Sequence, residues 1–394
     1  MKRRNFIWDC ALASCAGCLA WSVPSVSVAA PESPSVTGLL EGLEGYPASE
    51  LTRATLSAKM KICVVDSKSD QAGSEFDPGT LRYCLASAAA ADSGEMTWIT
   101  FDPGVFPPTG GGEIALENEL VLGGNTIIDG RGARVTIHST RDVHLLKLVG
   151  AKNVILKNLI LHKAAPFSRS KGEKSFAFPI GNRPGIDRER AARGMNGDGI
   201  SFRGACDNVW IDHCTFFLCG DESIGVMSSA EVEHTKITVS WCDFSDQYYV
   251  ALVGHTTEQK KEDARIRLTF HHNRSRGAGR RSPRVNRAHA DIYNNYLDGW
   301  IDWAMAANAS SRVLIEANIF KARESKTVIS IGVGKHESGF VRLRDNVLMN
   351  GARIDSHHAE RVPEPAYERR VDEAGESLRV RLNRSCGWQH TTLE

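Results

Sequence analysis

Short apolar segments with an inside–outside alternation recur along most of this chain, each ending on a polar or aromatic residue before a turn. Val209-Trp210-Ile211-Asp212-His213, Ile237-Thr238-Val239-Ser240-Trp241, Leu268-Thr269-Phe270-His271-His272 and Ala290-Asp291-Ile292-Tyr293-Asn294 are the clearest. A period of two predicts strands whose successive side chains face opposite sides. The last residues of such segments are Asn158, His213, Trp241, His272, Asn294, Ala317 and Asp345, with separations of 55, 28, 31, 22, 23 and 28. The shortest steps define a coil near 22 residues, the longer ones carry loops, and the 55-residue step reads as two coils plus a loop. Hairpin dipeptides between adjacent strands are scarce, and the spacing exceeds the roughly 8–12 residues of a meander. The pattern therefore favours a parallel β-helix over a β-sandwich. Its coils stack about 4.8 Å apart, so equivalent residues form columns and inserted loops leave from one edge.

The flanks read differently. Residues 31–60 are Ser/Pro-rich and then amphipathic, a linker followed by a helix. Gly79 to Leu85 and the alanine run Ala86 to Ala91 predict a second helix. Placed before the strand array, it would cap the open edge of the first coil. Residues 61–350 form the solenoid domain, and 351–394, charged and weakly periodic, a tail across the coils or an end cap. Residues 164–200 are the largest insertion and carry many Lys and Arg, read mostly as a solvated loop.

Composition adds an address. Lys2-Arg3-Arg4-Asn5-Phe6-Ile7 followed by the apolar stretch from Cys10 to Val28 fits a twin-arginine signal over residues 1–30. Export to the periplasm or the exterior is expected. Lipid attachment at Cys15 is an alternative, and a membrane span is not expected because Pro24 and polar residues interrupt the segment. Seven of the 10 cysteines lie beyond the signal, so at least one is not paired within the chain. Cys214 and Cys242 follow equivalent strand ends and are expected to stack in the interior. No paired CxxC pattern points to zinc. The net charge of +1 gives no global case for nucleic acid, so any basic function is local. A monomer is expected.

Three constellations carry candidate chemistry. Asn196, Asp198, Asp221 and Glu222 fall near strand ends one coil apart, and such hard oxygen ligands suit Ca²⁺; turn capping by the acids is the alternative. Arg280-Arg281-Ser282-Pro283-Arg284-Val285-Asn286-Arg287 is the most basic run. Without interleaved aromatics, and in an exported chain, its natural partner is an acidic polysaccharide rather than nucleic acid. Asp212 and His213 form the third, equally suited to structural hydrogen bonding and to catalysis.

Taken in order, several motifs resemble polysaccharide lyase family 1, the pectate and pectin lyases. They include Gly79-Thr80-Leu81-Arg82, Thr126-Ile127-Ile128-Asp129-Gly130, Asn153 to Leu159, Asp198-Gly199-Ile200, Asn208 to Cys214, Arg281-Ser282-Pro283-Arg284-Val285 and Tyr293-Asn294-Asn295-Tyr296. The resemblance covers roughly residues 63–350. It implies a right-handed parallel β-helix and cleavage of polygalacturonate by β-elimination. An arginine takes the C5 proton of a uronic acid, and Ca²⁺ neutralises the neighbouring carboxylate. By motif the base is Arg281, which can act only where its site favours the neutral guanidine. Arg284, Arg287, Asn286 and Tyr249 are the matching substrate-binding candidates.

The chain also departs from that pattern. The family's second arginine falls on Asn286, with Arg287 one residue late and, in a regular strand, on the opposite face. Its substrate lysine falls on Tyr249, and one calcium carboxylate falls on Gly225. These changes leave a calcium-independent, pectin-lyase-like enzyme as a variant of the same reading. The acid motifs also resemble those of polygalacturonase-type glycoside hydrolases, and a non-catalytic polysaccharide-binding β-helix is the third alternative.

Overall fold

In a computed structural model, the described residues are 35–390 apart from 72, 93, 163–196, 257–259, 324 and 334–336. Their strands form three parallel sheets of ten, eight and nine strands, in which each strand pairs with its counterpart one coil away. This is the parallel β-helix expected from the spacing. The first sheet holds Asp207–Asp212, Thr235–Ser240, Ile266–His271 and His289–Tyr293 in adjacent positions. A tight turn leads from each into a short strand of the third sheet, such as Thr215–Phe217, and then into the second sheet, such as Glu222–Val226.

The anchors have a common physical cause. Asn158, His213, Trp241, His272, Asn294, Ala317 and Asp345 all have φ between 46° and 59°. A left-handed residue swings the chain through a corner in one step, and asparagine adopts that conformation more readily than most. At three corners that are neither Asn nor Asp, ring stacking accompanies the turn: the Trp241 ring lies 5.9 Å from His213 and 4.5 Å from His272. The next residue points inward. Asn273, Asn295 and Asn318 form a buried ladder in which each side-chain carbonyl accepts from the backbone and side-chain amides of the asparagine one coil earlier, at 2.9–3.1 Å, with Asn346 at its end. Cys242 continues the column, its backbone N–H donating to Asn273 Oδ1 at 2.9 Å. Cys214 and Cys242 are both buried free thiols, stacked as expected. Cys63 and Cys84 form a disulfide.

One coil count needs correction. Asp207–Asp212 pairs directly with Lys152–Lys157, Asp212 opposite Lys157. The 55-residue step is therefore a single coil interrupted by one long insertion, not two coils plus a loop.

Register columns build the core. Val154, Val209, Ile237, Leu268, Ala290, Val313 and Val341 are successive partners in the first sheet and all are buried inside. The opposite face of that sheet is covered too. Helix α1 (Val36–Leu40) and helix α2 (Ala48–Ser57) place Leu39 and Leu51 against Trp98, Ile127, Ile155 and Trp210. Helix α3 (Leu81–Ala89) packs on the earliest strands. The C-terminal segment returns across the coils, with helix α4 (Glu376–Ser385) burying Leu378 and Leu382 against Tyr296 and Ile319. Its backbone is read by the corner column, since Asn294 exchanges hydrogen bonds with Asp372 and Asn158 with Gln389. No helix among the described residues is long and apolar enough to cross a membrane.

Candidate active site

The chemistry gathers where strands of the second sheet begin. Asp198 precedes Ile200–Arg203, Asp221 precedes Glu222–Val226, and the Tyr249–Val253 strand follows one coil later. Parallel stacking sets Ile200 opposite Ile224 and Glu222 opposite Tyr249, so residues some 25 positions apart become neighbours. Asp198, Asp221 and Glu222 each place a carboxylate oxygen within 4.8 Å of the others. Glu222 N–H donates to Asp198 Oδ1 at 3.2 Å, and His144 Nδ1 lies 3.3 Å from Asp198 Oδ2. Burial first, and then the charge of Glu222, push Asp198 up to about 7. The same causes, joined by Asp198, push Asp221 up to about 8. Three acids so placed repel one another unless a cation or protons intervene. Their oxygen-only donor set and mutual spacing fit a Ca²⁺ ion, whose ligands stand about 2.3–2.6 Å from the metal. Asn196 lies outside the described residues.

Gly225 is the penultimate residue of its strand, on the outward face. A Cβ there would stand 2.8 Å from Asp198 Oδ2, so a carboxylate at this position would join the cluster. Glu222, beside Asp221, is the acid this chain offers instead.

Arg281 reaches into the cluster and forms an ion pair with Glu222. Its guanidinium lies 3.8 Å from the centre of the Tyr249 ring, and its Nε is buried without a hydrogen-bond partner. Its φ of 64° turns the chain just ahead of the Arg284–Asn286 strand. Arg280 points to the aromatic side, 5.3–5.5 Å from the rings of Tyr248, Tyr249 and Trp303, and pairs with Asp302 at 3.3 Å. Tyr249 therefore stands beneath two arginines rather than supplying a cation. Asn286 is buried and engaged with the coil itself: its Nδ2 donates to Gly254 O at 3.1 Å and its Oδ1 accepts from Asn308 Nδ2 at 2.9 Å. Arg287 lies past the strand end with φ 60°.

Asp212 belongs to a different network. It accepts from Lys157 and His213 at 2.7 Å and from Ser240 at 2.6 Å. Burial opposes its charge, yet His213 and Lys157 outweigh that and hold its carboxyl well below the usual range. This network clamps neighbouring coils of the first sheet, apart from the second-sheet acids. A cavity of about 500 Å³ beside Asp70 and Arg82 lies at the N-terminal cap, where Arg82 makes a bidentate pair with Asp70. The residues missed from sequence are the supporting ones: His144, Tyr248, Asp302 and Trp303 carry no motif, and only the coil register brings them in.

Comparison with known proteins places this geometry in a class. Residues 115–341 match the family described as pectate lyase. An Arabidopsis thaliana protein assigned as pectate lyase 17 is 32% identical over 305 residues, covering 76% of this chain and 69% of that protein. Pectate lyase 5 of Ambrosia artemisiifolia is 28% identical over 300 residues, 74% of this chain and 67% of that protein. Among solved structures, the major allergen from cedar pollen superposes with a TM-score of 0.59 at 22% identity, covering 91% of this chain and 100% of that one. A pectate lyase from Bacillus sp. N165, in complex with trigalacturonate, gives 0.59 at 18% identity over 88% and 98%. The fold and site define a polysaccharide-cleaving β-helix. The chain belongs to the pectate lyase family, and β-elimination of polygalacturonate is that family's reaction.

Proposed function

We propose that this protein is an exported, calcium-dependent pectate lyase in which Arg281 is the base. The observation that carries the reading is the meeting of Arg281 with the three-acid cluster across neighbouring coils. In the reaction Arg281, acting as the base, takes the C5 proton of a uronate, the C5–H electrons form the C4–C5 double bond, and the C4–O bond breaks. The released oxygen then takes up a proton. Asp198, Asp221 and Glu222 would hold Ca²⁺, which supplies positive charge beside the carboxylate next to C5 and so acidifies that proton. Arg281 is aimed by the Tyr249 face on one side and by Glu222 on the other. Arg280 is held off by Asp302 and the aromatic cluster, so it does not compete for Glu222. Export is supported by the twin-arginine pattern at residues 2–7 and by the Cys63–Cys84 disulfide, a bond that persists in oxidising compartments.

Hydrolysis fits the cluster less well. Inverting hydrolases keep their carboxyls about 6.5–9.5 Å apart to admit water, whereas these acids offer oxygens within 4.8 Å. Gly254-His255-Thr256, a partial match to that class's histidine between glycines, is occupied as well: His255 Nδ1 pairs with buried Asp263 at 2.9 Å. The test is incubation with polygalacturonate, with calcium or with a chelator, reading both ultraviolet absorbance of unsaturated uronate and new reducing ends. Absorbance that rises with calcium and stops on chelation is expected. Reducing ends without absorbance would assign hydrolysis, and unchanged elimination under chelation would remove calcium from the account.

A further inference from the structure

Three arginines crowd this site, and their charges are not balanced alike. Arg281 is paired with Glu222 and Arg280 with Asp302. Arg284 has no carboxylate partner among the described residues; its one hydrogen bond there is from Nε to Asn286 Oδ1 at 3.3 Å, a neutral acceptor. Yet it is only 7% exposed. In its strand Val285 faces the core, so Arg284 lies on the outer face. The register continues that face through Leu252 to Gly225, which borders Asp198. Burial and the like charges of Arg281 and Arg280 push Arg284 down to about 10. A buried guanidinium without a paired carboxylate burdens the fold unless an anion completes it.

Tyr249 and Asn286, which adjoin Arg281 and Arg284 here, are both uncharged. Arg284 stands on the same outer face as Asn286, two residues earlier, beside the acids and Arg281. We infer that Arg284 is a substrate-binding residue whose free guanidinium edge receives a uronate carboxylate. This rests on the reading of the site as a polygalacturonate lyase. A planar fork suits a carboxylate, which it can hold with two parallel hydrogen bonds. Asn286, bonded to Arg284 Nε, then acts as a positioning residue that fixes the plane of the fork.

The test is steady-state elimination on polygalacturonate by Arg284→Gln and Arg284→Lys, with thermal melting of each. Arg284→Gln should raise KM roughly tenfold or more, the scale of a lost charge-assisted contact, while kcat moves far less. Arg284→Lys, which keeps the charge but loses the fork, should fall between. Neither variant should melt below the wild type, because an uncompensated buried charge has been removed or made mobile. Wild-type KM in Arg284→Gln overturns the inference. So does a lowered melting temperature in both variants, which would assign Arg284 to the scaffold. A wild type that forms no unsaturated product defeats the lyase reading itself, an outcome distinct from turnover that ignores Arg284.

Discussion

Without a bound cation the acid cluster should make the fold weaker as pH rises, which is unusual for carboxylates and can be measured directly. Asp198 is buried to 4% exposure and its carboxyl is pushed up to about 7, with Asp221 pushed up to about 8. In the unfolded chain each would titrate near its ordinary value of about 4. A folded-state value above the unfolded one means the native protein holds protons that the unfolded chain releases. The associated stability is therefore complete below about pH 4, falls progressively above it, and is gone once pH has passed the folded values, so the loss runs from about pH 4 to about pH 8. Each unit corresponds to about 1.4 kcal/mol, so the Asp198 shift alone is worth roughly 4 kcal/mol. For a chain of this size that is a fall of several degrees in melting temperature, at roughly 2 °C per kcal/mol. The assay is thermal unfolding in chelator at pH 5, 6, 7, 8 and 9. Adding calcium should flatten the curve, since a divalent cation replaces the protons, and Asp198→Asn in chelator should flatten it as well. A melting temperature that stays level or rises from pH 5 to pH 8 in chelator would refute the reasoning.

Other consequences follow from the same contacts. Asn295→Ala removes an amide that donates to Phe270 O, Tyr293 O and Asn318 and that accepts from Asn273. Leaving buried partners unsatisfied should cost about 3 kcal/mol or more, read by urea unfolding; a loss under about 1 kcal/mol would show that the ladder is dispensable. The Cys63–Cys84 disulfide closes a separation of 21 residues, so replacing both cysteines with Ser should cost about 3 kcal/mol without changing elimination kinetics. Gly225→Asp sets an acid beside Asp198 and should tighten calcium binding in a titration; unchanged affinity would show that the cluster cannot accept a fourth carboxylate.

Much of the fold was legible because one local event repeats. The corner residues named from spacing all proved left-handed, since each coil must turn at the same place and the chain there offers residues that can do so. The length of an insertion is not legible in the same way. Nothing in the polar insertion at 164–200 says whether it hides a coil, and only the pairing of Asp212 with Lys157 settled the 55-residue step. The acids were brought together as the coil spacing implied. The state of each arginine was not readable, because it depends on partners from other coils: Glu222 for Arg281, Asp302 for Arg280 and, among the described residues, no carboxylate for Arg284. A helix near the N-terminus and a tail across the coils were expected, but where they land on the coils was likewise hidden. A contact such as Tyr367 to Asp291 joins residues 76 positions apart with no periodic signal between them.

The central claim is that Arg281 takes the proton. Its most direct test is the rate at which purified wild type and Arg281→Ala release unsaturated uronate from polygalacturonate in calcium, with folding of the variant checked by circular dichroism. The account predicts sustained product from the wild type and none above background from a folded Arg281→Ala. Wild-type turnover by that variant would contradict it.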